Sequence, residues 1–390
     1  MSIPTDFAVR APCGVHTIRS KAPLRISFAG GGTDVSPYAD ERGGAVLNAT
    51  INKYAYVTLR PRLDDVIQLH STAYHITAKY EIEGPLPYDG TLDLLKAAIN
   101  RACPHILDTG ASQPSDGQAV PARAQDQAVP NHSSLSEPRG FEFFVHNDAP
   151  PGSGLGGSST LVVAMVGALR EWLHAPWTDY EIARLAFEIE RVDMAMAGGR
   201  QDQYAAAFGG FNFIEFQGDT VLVNPLRIRR STLNELQHNL LLCYTGSTRM
   251  SDEIIRSQAH NYRRQAADAV HAMDELKRLA YEMKKQLLTG NLTAFGELLH
   301  EAWLNKRKMS AQISTARIDE LYKRARRAGA LGGKISGAGG GGYMFFYCPN
   351  ESKYKVAEAI EKLGAQAVDF QFDLEGMQTW RITETHPNRL

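Results

Sequence analysis

The sequence of 390 residues has few of the features that mark disulfide-stabilised, membrane-spanning or nucleic-acid-binding proteins. Its four cysteines, Cys13, Cys103, Cys243 and Cys348, lie too far apart for a CxxC or metal-ligand pattern, which suits a reducing cytoplasm. No apolar run approaches the roughly 18 residues of a membrane span, and the first twenty residues lack the apolar segment of an export signal. A formal net charge of -1 provides no positive field for nucleic acid. We therefore expect a cytoplasmic protein that binds a small molecule, with no nucleic-acid or membrane partner.

The order of strand-like and helix-like segments predicts an α+β fold of two domains. With 43% apolar residues the chain can bury a substantial core. β-Branched and aromatic residues concentrate in early segments such as "RISFAG" and "YAYVTLR", whereas the pattern from Asp252 to about Arg327 is helical. The strand "YMFFY", a helix and the strand "AVDFQFD" then suit one half of a ferredoxin-like domain. We place the two domains at residues 1–225 and 226–390.

Residues 108–138 differ in composition from the rest of the chain. They are rich in Pro, Ser, Gln and Ala, and they contain "QAVP" twice, from Gln118 and from Gln127. Such a segment cannot bury enough apolar area to offset its ordering entropy. We predict a disordered surface insertion with no catalytic role.

The most informative loop is "PPGSGLGGSST", residues 150–160, between a predicted strand and a predicted helix. Its glycines free backbone N–H groups to face a helix N-terminus, where the positive end of the dipole favours phosphate. The GxGxxG spacing also fits a dinucleotide-binding loop, but a second helix follows where that fold needs a strand. A Walker A loop is disfavoured because it ends in GK[ST] and no Lys is present. On the motif alone, a loop that only makes a turn stays open as well.

Two acidic residues after this loop are candidates for catalysis and metal binding. Asp202 lies between two glutamines in the Gly-flanked segment "GGRQDQYAAAFGG", although an Asp in a turn is more often a cap. Glu190 lies near the end of the preceding predicted helix and could reach a metal ion, although a Glu on a helix surface is usually only solvated. Neither residue identifies a site by itself.

Two further stretches of the chain are also rich in glycine. "RISFAGGGTD" places three glycines, a hydroxyl and a carboxylate directly after an apolar strand, which suits a polyhydroxylated ligand. "KISGAGGGG", residues 334–342, leads into the strand "YMFFY". Its glycines allow the backbone to pack against a phosphate or against another glycine loop.

Together these loops resemble the GHMP kinase superfamily, which includes galactokinase, homoserine kinase, mevalonate kinase and phosphomevalonate kinase. The resemblance covers nearly the whole chain outside residues 108–138. It implies the GHMP kinase fold, with an N-terminal lobe like ribosomal protein S5 and a C-terminal lobe that is ferredoxin-like and helix-rich. It also implies ATP and Mg²⁺ as cofactors, and it allows a homodimer.

The resemblance assigns roles to residues that match the family's motifs. Gly157 stands where the second motif usually has its first Ser, which leaves Ser158 as the aligned magnesium ligand and Ser159 as the fallback. Glu190 matches the second magnesium ligand. The predicted ATP- and phosphate-binding residues of the second and third motifs are Pro151, Gly152, Ser153, Gly154, Leu155, Gly156, Gly157, Ser158, Ser159, Gly337, Gly339 and Gly340.

The same resemblance gives the catalytic pair. Asp202 matches the catalytic Asp, which accepts or orients the proton of the reacting hydroxyl. Arg25 matches the positive side chain beside that hydroxyl, at the start of "RISFAGGGTD".

The first motif bears on the substrate. Gly31 and Gly32 replace the Glu-His pair of galactokinase, which implies a roomier pocket and a different sugar. With "GGRQDQYAA" and "YTGSTRMS", the stretch most closely resembles the D-glycero-D-manno-heptose 7-phosphate kinases, whose relatives include fucose kinases. We expect the anomeric hydroxyl to be phosphorylated, which gives the 1,7-bisphosphate used for nucleotide-activated heptose. The predicted substrate-binding residues are Gly31, Gly32, Thr33, Asp34 and, as candidates for clamping the sugar phosphate, Arg249 and Lys306.

Three alternatives stay open at this point. A kinase of a free sugar, similar to fucokinase or galactokinase, would have the same motifs. A non-catalytic sugar- or nucleotide-binding module of the same fold would bind without turnover. An NAD-dependent oxidoreductase depends on the GxGxxG spacing alone.

Overall fold

Two β-sheets and the helices around them form an α+β fold in the computed structural model, which describes residues 16–107, 139–248 and 251–382. The predicted fold class is therefore confirmed. The predicted insertion at 108–138, the predicted substrate ligand Arg249 and Cys13 lie outside the described residues. In the part of the chain that is described, no helix is long and apolar enough to cross a lipid bilayer.

The strands alternate with helices along most of the chain. The strands are β1 (Thr17–Ala29), β2 (Gly44–Arg62), β3 (Val66–Ser71), β4 (Ile76–Glu81), β5 (Gly140–Asn147), β6 (Phe211–Gln217), β7 (Thr220–Pro225), β8 (Leu240–Tyr244), β9 (Gly332–Ile335), β10 (Tyr343–Tyr347), β11 (Gln366–Val368) and β12 (Gln378–Ile382). The α-helices are α1 (Tyr38–Arg42), α2 (Asp93–Ala102), α3 (Pro104–Leu107), α4 (Gly157–Leu173), α5 (Asp179–Glu188), α6 (Gln201–Phe208), α7 (Arg230–Asn239), α8 (Ser251–Arg263), α9 (Ala267–Thr289), α10 (Leu292–Met309), α11 (Ala316–Arg327) and α12 (Lys353–Glu361). A π-helix at Ile189–Asp193 continues α5, and a 3₁₀ turn at Ala311–Ile313 follows α10.

The first sheet has the strand order β12-β1-β2-β5-β3-β4. β2 is 19 residues long; its first half pairs with β6 and its second half with β5, while β7 adds beyond β6. These pairings are antiparallel except β3 with β5. Helix α4 packs across β1 and β2, and just before its start the backbone oxygen of Leu155 accepts from the N–H of Arg25 in β1 at 3.1 Å.

The second sheet has the order β11-β8-β10-β9, and all its pairings are antiparallel. Along the chain, β8 is followed by the helices α8 to α11, then β9, β10, α12 and β11. This β-α-β-β-α-β order is the ferredoxin-like arrangement predicted from the sequence. The helical segments predicted between Asp252 and about Arg327 also appear, with the interruptions at "TGN" and "STA".

One apolar core joins the two sheets. Phe28 of β1 makes edge contacts with Phe295 of α10 and Phe345 of β10, and it stacks on Phe211 of β6. Leu24 and Ile26 of β1 belong to the same cluster as Leu240 and Leu242 of β8. The two sheets therefore pack against each other along β1.

The last described strand does not stay with the second sheet. β12 pairs with Thr17–Lys21 of β1, so residues 378–382 return to the first sheet although the predicted division assigns them to the second domain. The reason is that β1 offers a free edge on that side, which β12 covers. The division at residue 225 otherwise stays a prediction.

The capping box and the buried cysteines are found as the sequence predicts. Thr178 and Glu181 make the predicted capping box at the start of α5. Cys103, Cys243 and Cys348 are buried free thiols, as the apolar segments around Cys243 and Cys348 predict.

Candidate active site

The loop Gly30–Asp34 follows β1 and satisfies most of its own polar groups. The buried hydroxyl of Thr33 donates to the backbone oxygen of Gly30 at 2.8 Å and accepts from the N–H of Ala45 at 3.1 Å. The carboxylate of Asp34 accepts from the N–H groups of Gly32 at 3.0 Å and Gln201 at 3.2 Å. Thr33 therefore closes the turn against β2, and Asp34 is fixed where β1 faces α6.

The loop at residues 150–156 leads from β5 into α4 with the shape expected of a phosphate-binding loop. Gly152, Gly154 and Gly156 have φ angles of +75°, +80° and +80°, which other L-residues rarely adopt. α4 begins at Gly157, and its first turn contains no acidic side chain. The first N–H groups of the helix and the positive end of its dipole therefore face the same side as the loop.

The third glycine loop packs directly on the loop at residues 150–156. A Cβ atom on Gly154 would lie 2.5 Å from the backbone oxygen of Ser336, and one on Gly337 would lie 2.7 Å from the Cα of Gly154. The N–H of Tyr343 donates to the backbone oxygen of Ser153 at 3.0 Å. Glycine is needed here because the two backbones touch, which is the contact with another glycine loop that the sequence allows.

Ser158 and Glu190 come together as the predicted metal ligands require. The hydroxyl of Ser158, in the first turn of α4, donates to Glu190 Oε1 at 2.9 Å. Glu190 is buried in the π-helix, whose wider turn changes the direction of side chains relative to an α-helix. Gln203 Nε2 donates to Glu190 Oε2 at 2.6 Å and to Ser159 Oγ at 3.1 Å. Ser158 rather than Ser159 therefore faces Glu190, and Glu190 is not a solvated surface residue.

Arg25 connects three of the predicted motifs. Its guanidinium donates to Asp202 Oδ1 at 2.7 Å and to the backbone oxygen of Gly154 at 2.6 Å, and it lies 3.5 Å from Ser336 Oγ. Arg25 is 3% exposed and Asp202 is 21% exposed. Asp202 lies in the first turn of α6, next to Gly156 of the loop at residues 150–156. The ion pair thus has one buried cation and one carboxylate that a ligand can reach.

Two buried lysines lie beside this pair. Lys306 of α10 donates to the backbone oxygen of Gly31 at 3.4 Å. Burial lowers the pKa of Lys306 to about 8, although the negative charge of Asp34 acts in the opposite direction and raises it. Lys334 of β9 donates to the backbone oxygen of Ser27 at 2.8 Å. Burial and the positive charges of Lys306 and Arg25 lower the pKa of Lys334 well below its ordinary value. Arg25, Lys306 and Lys334 therefore lie together with two carboxylates, Asp34 and Asp202, and an anionic ligand bound beside them would favour the protonated form of the lysines.

Several neighbours of these residues had no sequence signal strong enough to single them out. Lys334, Gln203, Ser27 and Ser336 contact site residues that are distant in sequence. The two glutamines beside Asp202 were the one indication of these contacts, because buried helix positions usually hold apolar residues and a polar residue there suggests a polar partner.

Family models and relatives match this arrangement. The model of the GHMP kinases N terminal domain matches residues 123–210, and that of the GHMP kinases C terminal domain matches residues 283–367. The D-glycero-alpha-D-manno-heptose 7-phosphate kinase of Campylobacter jejuni is 38% identical over 370 residues, which are 94% of this chain and 100% of that protein. This chain belongs to the GHMP kinases. The resemblance, the fold and the class of enzyme, a phosphotransferase with an alcohol acceptor, are confirmed.

Two further relatives of this GHMP kinase also have names that refer to sugar kinases. A crystal structure of a D-glycero-D-manno-heptose 1-phosphate kinase from Bacteroides thetaiotaomicron has a TM-score of 0.73 at 37% identity, covering 94% of this chain and 100% of that one. The bifunctional fucokinase/GDP-fucose pyrophosphorylase of Arabidopsis thaliana is 25% identical over 92% of this chain and 32% of its own. Heptose phosphate and fucose are thus the sugars named among these relatives.

Proposed function

We propose that this GHMP kinase transfers the γ-phosphoryl group of ATP to the anomeric hydroxyl of D-glycero-D-manno-heptose 7-phosphate. The product is the 1,7-bisphosphate, a precursor of nucleotide-activated heptose. The observation that carries the proposal is the Arg25 guanidinium, which joins Asp202 to both glycine loops in a single cluster. The choice of sugar follows the 38% identity to the heptose 7-phosphate kinase over that protein's full length.

Proton removal is assigned to Asp202. Its carboxylate is the exposed member of the pair with Arg25, so the acceptor hydroxyl can approach within hydrogen-bonding distance. Arg25 fixes Oδ1 of that carboxylate and places a positive charge where the transferred phosphoryl group carries negative charge. Phosphoryl transfer needs mainly positioning and charge stabilisation, and these two residues provide both.

The phosphates of ATP are assigned to the loop at residues 150–157 and the start of α4. Positive φ angles and the lack of acidic residues in the first turn favour an anion at this helix N-terminus. The third glycine loop closes one side of the cradle through its contact with Gly154. A nucleotide bound here would place its terminal phosphate close to Arg25, because Arg25 contacts the same Gly154.

Ser158 and Glu190 suit a magnesium ion. Mg²⁺ prefers hard oxygen ligands and takes few of them from the protein, and these two residues offer one hydroxyl and one carboxylate. Among the described residues there is no cluster of three or more His, Cys, Asp or Glu, so the phosphates would complete the coordination. When bound, the ion neutralises charge on the β- and γ-phosphates.

The finer points of partner and location stay proposals. Lys306 contacts Gly31 in the loop Gly30–Asp34, which supports a role in sugar binding. Arg249 stays a candidate for clamping the 7-phosphate. We expect the enzyme in the cytoplasm, where ATP and sugar phosphates are found. The family resemblance allows a homodimer, which sedimentation would test.

The decisive experiment is an ADP-release assay with ATP and Mg²⁺ against a panel of acceptors. The panel contains D-glycero-D-manno-heptose 7-phosphate, D-glycero-D-manno-heptose 1-phosphate, free heptose, mannose, fucose and galactose. We expect turnover confined to the 7-phosphate, with the new phosphate on C1 by ³¹P NMR. Preferred turnover of fucose would overturn the choice of sugar and favour the second candidate, a fucokinase-like enzyme, which the 25% identity to the plant fucokinase supports.

A further inference from the structure

Gly31 lies at a point where three polar side chains converge. A Cβ atom on Gly31 would lie 3.2 Å from Ser27 Oγ, 3.5 Å from Gln201 Nε2 and 3.9 Å from Lys306 Nζ. We call the space bounded by Ser27, Gly31, Gln201 and Lys306 the Gly31 notch. These residues come from β1, its following loop, α6 and α10, so the notch is formed by the fold and not by one flexible segment.

The notch has more hydrogen-bonding capacity than its own residues use. In the described part of the chain, Ser27 Oγ and Gln201 Oε1 are buried without a hydrogen-bond partner. Lys306 has three N–H donors, and the bond assigned to it is the 3.4 Å contact with the backbone oxygen of Gly31. Buried polar atoms nearly always have partners in native proteins, so a group from outside the chain, either a water molecule or a polar group of a ligand, is expected here.

The notch lies next to the reacting groups. Ser27 follows Arg25 by two residues on β1, which directs both side chains to the same face of the strand. Gln201 directly precedes Asp202 in α6. An acceptor whose reacting hydroxyl contacts Asp202 would therefore place a neighbouring substituent in the notch.

The charges indicate what kind of group fits. Lys306 is already attracted by Asp34, whose carboxylate also contacts the amide of Gln201 at 3.4 Å. The other groups at the notch are the Ser27 hydroxyl and the side-chain amide of Gln201, whose Nε2 is the atom that faces the Gly31 Cβ position. A neutral hydroxyl can accept from the Lys306 ammonium or the amide N–H and donate to Ser27 Oγ, so one small group satisfies donors and acceptor together.

We propose that the Gly31 notch binds the C2 hydroxyl of the acceptor sugar, so that Ser27, Gln201 and Lys306 determine specificity at the carbon next to the reacting one. This inference depends on the proposed function for the position of the reacting hydroxyl. It gives Lys306 a role in holding a sugar hydroxyl rather than the 7-phosphate.

The first test needs no variant. We compare kcat/KM of the wild-type enzyme for D-glycero-D-manno-heptose 7-phosphate and for its 2-deoxy analogue. A buried site made to hydrogen-bond a hydroxyl discriminates strongly against an analogue that lacks it. We expect the 2-deoxy acceptor to be about 10- to 100-fold worse, mainly through interactions with a charged donor. Equal kcat/KM values would overturn the proposal.

Two substitutions then test whether the preference for the C2 hydroxyl arises in the notch. Ser27→Ala removes the notch hydroxyl, and Gly31→Ala fills the notch with a methyl group, at a residue whose φ is outside the left-handed region. Each variant is expected to narrow the preference for the C2 hydroxyl by about threefold to tenfold. Because both acceptors are measured on one preparation, a loss of folded enzyme does not change this ratio.

Ser20→Ala is the matched control. Ser20 is also a buried serine of β1 whose Oγ has no partner among the described residues, but it lies away from the site, near Gly167. Its ratio should equal that of the wild type. A ratio unchanged in both Ser27→Ala and Gly31→Ala would show that C2 recognition lies elsewhere.

The outcome also separates this inference from the proposed function. If the enzyme does not phosphorylate the heptose phosphate but does phosphorylate fucose or mannose, the proposed function fails, and the same ratio is measured with the accepted sugar and its 2-deoxy analogue, which for mannose is 2-deoxy-D-glucose. A strong preference for the sugar with the C2 hydroxyl that Ser27→Ala narrows would then support the notch on a different substrate. No preference would overturn it.

Discussion

The ion pair between Arg25 and Asp202 leads to the sharpest prediction. Asp202→Asn keeps the shape of the side chain and one oxygen for the Arg25 guanidinium, but it removes the negative charge and the basic site. General base catalysis contributes about 10²- to 10⁴-fold, so kcat should fall by that factor, which is roughly 3 to 5 kcal/mol of transition-state stabilisation.

The effect on stability should be smaller. Arg25 keeps its hydrogen bond of 2.6 Å to Gly154, and Asp202 is partly exposed, so the neutral amide should cost about 1 to 2 kcal/mol. Domains are typically stable by about 5 to 15 kcal/mol, so the variant stays folded. The loss of activity therefore cannot come from unfolding, and thermal denaturation of the same preparation would verify this.

Glu142→Gln provides a matched control for removing a carboxylate from an ion pair. Glu142 pairs with Arg62 at the same distance of 2.7 Å and is also 21% exposed, but it lies in β5, away from the glycine loops. Its kcat should match the wild type. The assay is ADP release at saturating ATP and acceptor; an Asp202→Asn enzyme within threefold of wild-type kcat would refute the assignment of the base.

Three further predictions concern the metal, the loop contact and pH. Glu190→Gln should raise the Mg²⁺ concentration for half-maximal activity at least tenfold, whereas Glu188→Gln, on the same helix, should not; an unchanged Mg²⁺ titration would contradict the ligand assignment. Gly154→Ala should raise KM for ATP several-fold and lower stability by more than 1 kcal/mol, because φ is +80° and the facing backbone is 2.5 Å from the new Cβ; wild-type values of KM and Tm would contradict this. Lys306 has a pKa of about 8 in the folded protein and about 10.4 in the unfolded chain, so between these pH values the unfolded state binds more protons. The free energy of unfolding of the wild type should therefore rise by up to about 3 kcal/mol from pH 8 to 10.5, relative to that of Lys306→Met. The exposed Lys308→Met should show no such difference in urea denaturation, and parallel pH profiles for wild type and Lys306→Met would refute the assignment.

The local parts of the site could be predicted from the sequence, and the long-range parts could not. Runs such as "PPGSGLGGSST" predict a glycine-rich loop at the start of a helix, because glycine at that spacing allows the positive φ angles that are observed there. The contact between Lys306 and Gly31 spans 275 residues, and no local pattern shows that a lysine of a basic helix face turns inward. The contact between Lys334 and the backbone oxygen of Ser27, which spans 307 residues, was hidden for the same reason.

The fold shows the same division. Helices with strong periodicity and strands rich in apolar residues were predicted near their observed positions. The short α1 and α6 were not predicted, because five and eight residues carry little periodic signal. β12 was missed because its pairing with β1 depends on an edge that forms only when the chain folds.

The aromatic cluster around Phe28 limits how substrates can enter and leave. A hinge that swung the sheets apart would expose Phe28, Phe295 and Phe345 to water, at about 1.5 to 3 kcal/mol for each ring. β12 adds a second covalent crossing between the sheets, which restrains such a swing further. Exchange of nucleotide and sugar in each catalytic cycle is therefore left to the glycine loops themselves, so turnover should respond to mutations that stiffen these loops far more than to mutations that tighten the packing between the sheets.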